Sequence, residues 1–172
     1  LKFENKTALL KKARSIIGKR FSEIDNHERI SSGKTKGVFG HIIEESLFEY
    51  DINSSKNPDF SDIGVELKVT PLKKLKSGDY KAKERLVLNI IDYMNEYKYD
   101  FYASSFWKKN QELLLIFYLY EENLDFTEFT VKDAILYNYT DGDLQIIKSD
   151  WKLIVDKIKD GKAHLLSEYR NK

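Results

Sequence analysis

The sequence predicts a mixed α/β domain in which helices pack against a β-sheet. Three observations predict it. Apolar residues recur at helical spacing near both ends of the chain, Ile63 to Val69 alternates strictly, and LLLIFYLY (113–120) is a continuous apolar run of strand length. At 172 residues the chain is long enough for one domain with a sizeable core and short for two, so a single domain over 1–172 is expected.

In chain order, Leu9, Leu10, Ala13, Ile16 and Ile17 mark a first helix, which Gly18 stops. SSGKTKG, from Ser31 to Gly37, is a glycine- and lysine-bearing loop. After it Ile43, Leu47 and Tyr50 form the stripe of a second helix, with Glu44 beside that stripe. NSSKNPD (53–59) is a turn-rich connection to a strand in which Ile63, Val65, Leu67 and Val69 face one way. Pro71 is expected to end this strand because it cannot donate to a ladder, leaving LKKLKSGDYKAK as a lysine-rich loop. LVLNII (86–91) fits a strand, the reading adopted, or a turn of buried helix. Ser104 to Asn110 is a helix end or a loop, and 113–120 is a buried central strand. Thr130–Tyr139 and Leu144–Lys148 read as strands, the second after a DGD turn. A last helix is expected with Ser149 as its N-cap, Trp151, Ile154, Val155 and Ile158 as its buried stripe and Gly161 at its close.

Hydrophobic residues make up 41% of the chain and charged residues 33%, a globular balance. With 29 basic and 28 acidic residues the net charge is +1, so any basic surface for nucleic acid must be local. The lack of cysteine removes disulfides, thiolate metal sites and cysteine nucleophiles. No apolar run approaches the roughly 20 residues that span a bilayer. A cytoplasmic protein with no membrane partner is expected. The chain opens on Leu1 rather than methionine, which fits a piece of something longer.

The residues that carry chemistry lie in NPDFSDIGVELKVTP (57–71). Side chains alternate along a strand, so Glu66 and Lys68 project together while Val65, Leu67 and Val69 pack the other side. Asp59 precedes the strand after a proline turn and can swing back to the same face. Phosphodiester hydrolysis needs this combination, because negative charge gathers on an already anionic phosphate. Carboxylates hold Mg²⁺, a hard cation that prefers oxygen, with Mn²⁺ as a possible substitute of the same preference. A lysine stabilises charge or orients the attacking water. By itself Glu-x-Lys on a strand is very often an exposed ion pair worth under about 1 kcal/mol. The apolar opposite face, the aspartate-bearing turn and the preceding acidic helix raise its weight.

In this setting the sequence resembles the MutH and Sau group of the PD-(D/E)xK nucleases, which act at GATC sequences. DFSDIGVELKVTP looks like the group's signature strand, and KGVFGHIIEESL is similar to its glycine-led helix. KERLVLNIIDY, SSFWKKN before LLLIFYLY, and SDWKLI with GKAHLLSE resemble the Sau restriction enzymes in particular. The resemblance runs from about Gly18 to Glu168. It implies a restriction-endonuclease-like mixed sheet flanked by helices, with Asp59 and Glu66 as metal ligands, the Leu67 carbonyl as a further ligand, Lys68 as catalytic and Glu44 as assistant. It further implies a type II restriction endonuclease that cuts duplex DNA on the 5′ side of G in GATC with Mg²⁺. The alternatives are a MutH-like nicking enzyme and a non-catalytic, allosteric DNA-binding module of the same family.

Other candidates weigh less. Asp62 reads as a solvated strand-entry residue, and Glu45 replaces Glu44 if the helix register is off by one. His27, His41 and His164 show no metal spacing, and Trp107 and Trp151 read as core anchors. Lys34, Lys36, Lys73, Lys74, Lys76, Lys81, Lys83 and Arg85 form two loop clusters bracketing the acidic centre, where they could neutralise phosphates. Lys108 and Lys109 resemble the place where the family carries another DNA-contacting lysine, without the sequence deciding between them. In the resembling enzymes the chain continues after GKAHLLSE into a base-reading segment. This chain is accordingly expected to be the N-terminal catalytic part of a longer enzyme, with a related C-terminal domain or dimerisation on DNA.

Overall fold

The computed structural model describes residues 2–32, 37–50 and 55–166. Their centre is a four-stranded mixed sheet of order β2-β1-β3-β4, formed by β1 (Glu66–Lys74), β2 (Tyr80–Ala82), β3 (Leu113–Tyr120) and β4 (Thr130–Tyr137). β1 and β3 run parallel, with Glu66 opposite Leu113 and Lys68 opposite Leu115; the other two pairings are antiparallel. This is the expected mixed sheet with flanking helices.

One sheet face carries the main core. α1 (Lys6–Arg14) contributes Leu9 and Ala13, α2 (Phe21–Ile24) contributes Phe21 and Ile24, and α3 (Val38–Ile42) contributes Val38 and Ile42. They cover Val65 and Leu67, the buried side of the alternating pattern, together with Leu114, Ile116, Val131 and Ala134. Such alternation is what a strand with one buried face requires. Gly18 ends the first helical segment at φ 85°, and its N–H donates to Val131 O at 2.9 Å, which joins the helix exit to the β4 edge. Ile17 is 42% exposed and stands outside the buried stripe.

Four expectations are corrected. β1 does not end at Pro71 but continues to Lys74. The Pro71 carbonyl accepts from Lys83 N at 3.0 Å on the β2 side, so the missing N–H faces the short outer strand and costs β1 no bond to β3. The lysine-rich loop is therefore a hairpin, turning through Gly78 at φ 94°. Residues 86–91 form no strand; Val87 and Ile90 are 74% and 92% exposed. Leu144–Lys148 lies within a helix, α5 (Asp141–Lys159). Thr140, not Ser149, caps it: Thr140 Oγ1 accepts from Asp143 N at 3.2 Å, and Asp143 Oδ2 accepts from Thr140 N at 2.9 Å. The DGD segment is thus the first helical turn.

A smaller core lies under α5, where Trp151 and Val155 meet Phe101, Phe106 and Trp107. The 104–110 segment, where the sequence allows a helix end or a loop, is the short helix α4 (Ser105–Asn110), capped by Ser104 Oγ accepting from Trp107 N at 3.1 Å. Among the described residues no helix is long and apolar enough to cross a membrane.

Candidate active site

Glu66 is the first residue of β1 and only 2% exposed, on the face opposite Val65 and Leu67. A carboxylate there is tolerable only if it is hydrogen-bonded and paired. Glu66 Oε1 lies 2.8 Å from Lys68 Nζ and 3.6 Å from Lys109 Nζ, while Oε2 accepts from Asp59 N at 3.2 Å. Asp59 folds back because Phe60 and Val65 form a small bridge, with Phe60 N donating to Val65 O at 2.9 Å across a turn whose Gly64 has φ 69°. That turn brings Asp59 Oδ2 within 2.9 Å of Leu67 N. Asp59 Oδ1 accepts no bond among the described residues.

Strand directions decide where the Leu67 carbonyl points. Glu66 N donates to Glu112 O at 3.0 Å, toward β3, so Leu67 N–H and C=O point to the opposite edge. Leu67 N–H meets Asp59 on that edge. β2 pairs with β1 only from Leu72 onward, so among the described residues no strand pairs with Leu67 there.

Glu44 approaches from the helical layer. α3 widens into a π turn at Ile43–Leu47, a distortion that re-aims side chains, and Glu44 sits in it. Gly40 lies one turn before it, where an added β-carbon would stand 4.0 Å from Glu44 Oε1, an ordinary contact. Burial pushes the Glu44 carboxyl up to about 7, and the charges of Asp59 and Glu66 push the same way, against Lys68. Glu66 is also raised, by burial first and then by Asp59, against Lys68 and Lys109. Three carboxylates therefore share one field, and a cation among them would relieve their repulsion.

The structure separates the two pairs that the sequence left open. Glu45 is engaged by Arg29, whose Nε donates at 2.5 Å, and so turns away from the centre that Glu44 faces. Asp62 is 54% exposed and 3.8 Å from Lys2, a solvated residue as expected. Lys109 reaches the site, with its Nζ also donating to Ser55 O at 2.8 Å, whereas Lys108 is exposed near the Tyr99 ring. Lys73 and Lys74 are not brought to the acids: Lys73 lies seven residues beyond Glu66, roughly 23 Å along the strand. They border a separate depression with Tyr120 and Glu121. Lys34 and Lys36 lie outside the described residues. Among the described residues no three His, Asp or Glu side chains form a metal cage by themselves.

A cleft of about 390 Å³ has Lys68 and Lys109 on its wall, with Ser55, Lys56, Asn89 and Ser105 around them, and these two lysines connect it to Glu66. Sequence reasoning missed Lys56, Asn89 and Ser105. It also missed two buried acids, Glu96 and Glu112. Glu112 pairs with Lys6 of α1, a contact between residues 106 apart with no local signature.

The profile of a family described as DNA mismatch repair enzyme MutH matches residues 48–150, over half the chain and inclusive of Asp59, Glu66, Lys68 and Lys109. The type II restriction enzyme Sau3AI of Staphylococcus aureus is 41% identical over 165 residues, covering 95% of this chain and 33% of that protein. The DNA mismatch repair protein MutH of Buchnera aphidicola is 27% identical over 146 residues, covering 85% of this chain and 65% of that protein. The chain thus spans about a third of the first relative and just under two thirds of the second. A profile match running from the residues before the Asp59 turn into α5, over a restriction-endonuclease-like sheet, has one reading: the chain belongs to the MutH family.

Proposed function

We propose that this chain carries a Mg²⁺-dependent endonuclease site that hydrolyses phosphodiester bonds of duplex DNA, as part of a type II restriction enzyme cutting 5′ of G in GATC. The observation that carries the reading is the closed circuit around Glu66: Lys68 on one oxygen, Asp59 N on the other, and the Asp59 carboxylate returned to Leu67 N. An exposed Glu-x-Lys pair needs no such circuit and no burial to 2%.

The donors suit a hard cation in type. Two carboxylates and the outward Leu67 carbonyl offer oxygen only, and Mg²⁺ keeps several waters rather than demanding a full protein cage. Asp59, Glu66 and the Leu67 carbonyl are the groups that would hold it. Bound there, it would supply charge neutralisation and polarisation of the phosphate. Lys68 and Lys109, from separate elements, would draw the phosphate into the cleft and stabilise the charge that grows on it. Either ammonium can orient a water. Glu44, with its carboxyl near neutrality, is suited to hold or release a proton beside that water.

The restriction reading is favoured over a nicking enzyme by 41% against 27% identity to the respective relatives. A non-catalytic module would be free to lose any of Asp59, Glu66, Lys68 or Glu44, and all four stand in the sequence. Base-reading residues would act in the major groove. The test is incubation of a GATC duplex and a scrambled control with the protein in Mg²⁺, with both strands mapped. Loss of cleavage in Asp59→Ala and Lys68→Ala is expected, and unchanged cleavage in either overturns the assignment.

A further inference from the structure

We infer that Glu96 is a positioning residue of the proposed nuclease site, buried under α4 and holding that helix so that Lys109 stays against Glu66; the inference rests on the nuclease reading only for its effect on cleavage. Glu96 is 1% exposed, and among the described residues no cation pairs with it. Its carboxylate is satisfied by three donors instead: Ser105 Oγ on Oε2, and Phe106 N at 3.1 Å and Trp151 Nε1 at 2.8 Å on Oε1. Two of these donors are the first two residues of α4 and the third belongs to α5.

α4 has only six residues, too few to hold a helical register without outside support. Ser105 and Lys109 are four residues apart and so share one face of it. Both border the cleft that Lys68 enters. Fixing Ser105 and Phe106 N against Glu96 therefore fixes the face that presents Lys109, which then spans to Ser55 O at 2.8 Å and Glu66 Oε1 at 3.6 Å. A carboxylate is suited to the task because its two oxygens take donors from α4 and α5 at once, whereas an apolar side chain would leave Trp151 Nε1 and Phe106 N unpaired.

The test compares Glu96→Ala with Glu96→Gln. Glutamine can receive Phe106 N and Trp151 Nε1 on its oxygen and donate to Ser105 Oγ, so it keeps the geometry while losing the charge. Acetylation of individual lysines, followed by mass spectrometry, reports accessibility without reference to activity. In Glu96→Ala, Lys109 should label several-fold faster with Lys68 unchanged, and Glu96→Gln should restore protection. Cleavage should fall about tenfold or more in Glu96→Ala, with no further fall when Lys109→Ala is added, and return to within a few-fold in Glu96→Gln. Unchanged labelling of Lys109, equal rises at Lys109 and Lys68, or additive losses of cleavage overturn the inference. If Glu96→Ala does not fold, Ser105→Ala is read by the same criteria. A wild-type protein that does not cut, with the labelling pattern as expected, removes the nuclease reading and leaves the positioning of Lys109 intact.

Discussion

The backbone N–H of Leu67 donates to Asp59 Oδ2 at 2.9 Å, which ties an aspartate in a turn to a strand residue eight positions later. Asp59 N returns a bond to Glu66. The two acids are thus oriented by the backbone between them rather than by each other, and like charges that would separate in solution are kept together. The cation proposed for this site would relieve that repulsion.

Asp59→Asn tests that trade. An asparagine oxygen can still accept from Leu67 N–H, so the turn survives, while one negative charge facing Glu44 and Glu66 is lost. The expected outcome is a melting temperature without metal that is unchanged or up by a few degrees, with cleavage down on the order of a hundredfold or more and weaker Mn²⁺ binding by calorimetry. A lower melting temperature would show that the charge supports the fold.

Glu44 gives a pH dependence. Its carboxyl, ordinarily near 4.5, stands at about 7 in the fold, mainly through burial and then through Asp59 and Glu66. The fold favours the protonated form, so the stabilising contribution is full below 4.5 and is lost as pH rises through 7. After allowance for solvent screening this amounts to about 1–2 kcal/mol. Metal-free protein should melt lower at pH 8 than at pH 5, and Glu44→Gln should flatten the difference. Equal slopes for the two proteins would remove Glu44 as the cause.

Lys108 and Lys109 are neighbours in sequence with different surroundings, one exposed near Tyr99 and one against Glu66 and Ser55. Lys109→Ala should lower the cleavage rate at saturating DNA about ten- to a hundredfold. Lys108→Ala should leave that rate near wild type and reduce the salt dependence of DNA binding by about one phosphate contact. Comparable rate losses in both would mean that Lys108 and Lys109 serve the reaction alike, against the one-sided placement of Lys109.

The candidate site is legible in the sequence wherever its signal is local. Asp59, Glu66 and Lys68 lie within ten residues, and alternation alone places Glu66 and Lys68 on one face. Glu44 and Glu45 were separable only by the π turn and by Arg29, which lies 16 residues from Glu45. Lys109 and Glu96 depend on contacts across 43 and 55 residues, to Glu66 and Trp151, that no spacing encodes. The differences between pattern and fold have the same origin. LVLNII carries β-branched residues yet forms no strand, and Pro71 stands inside β1 because its nitrogen faces the short outer strand rather than β3.

The start of α5 yields a last prediction. Ser149 has a capping side chain, but nothing requires a helix to begin there when Thr140 and Asp143 form a reciprocal capping box nine residues earlier. Asp143 Oδ2 also receives Tyr137 Oη at 2.8 Å, so the cap ties the helix start to the end of β4. Thr140→Ala should therefore destabilise the protein by about 1 kcal/mol, seen as a fall of a few degrees in melting temperature. Ser149→Ala, in mid-helix, should be neutral or slightly stabilising because alanine is the better helix former. If Ser149→Ala were the more damaging of the two, α5 would begin where the sequence pattern first placed it, and the segment 141–148 would need another structure.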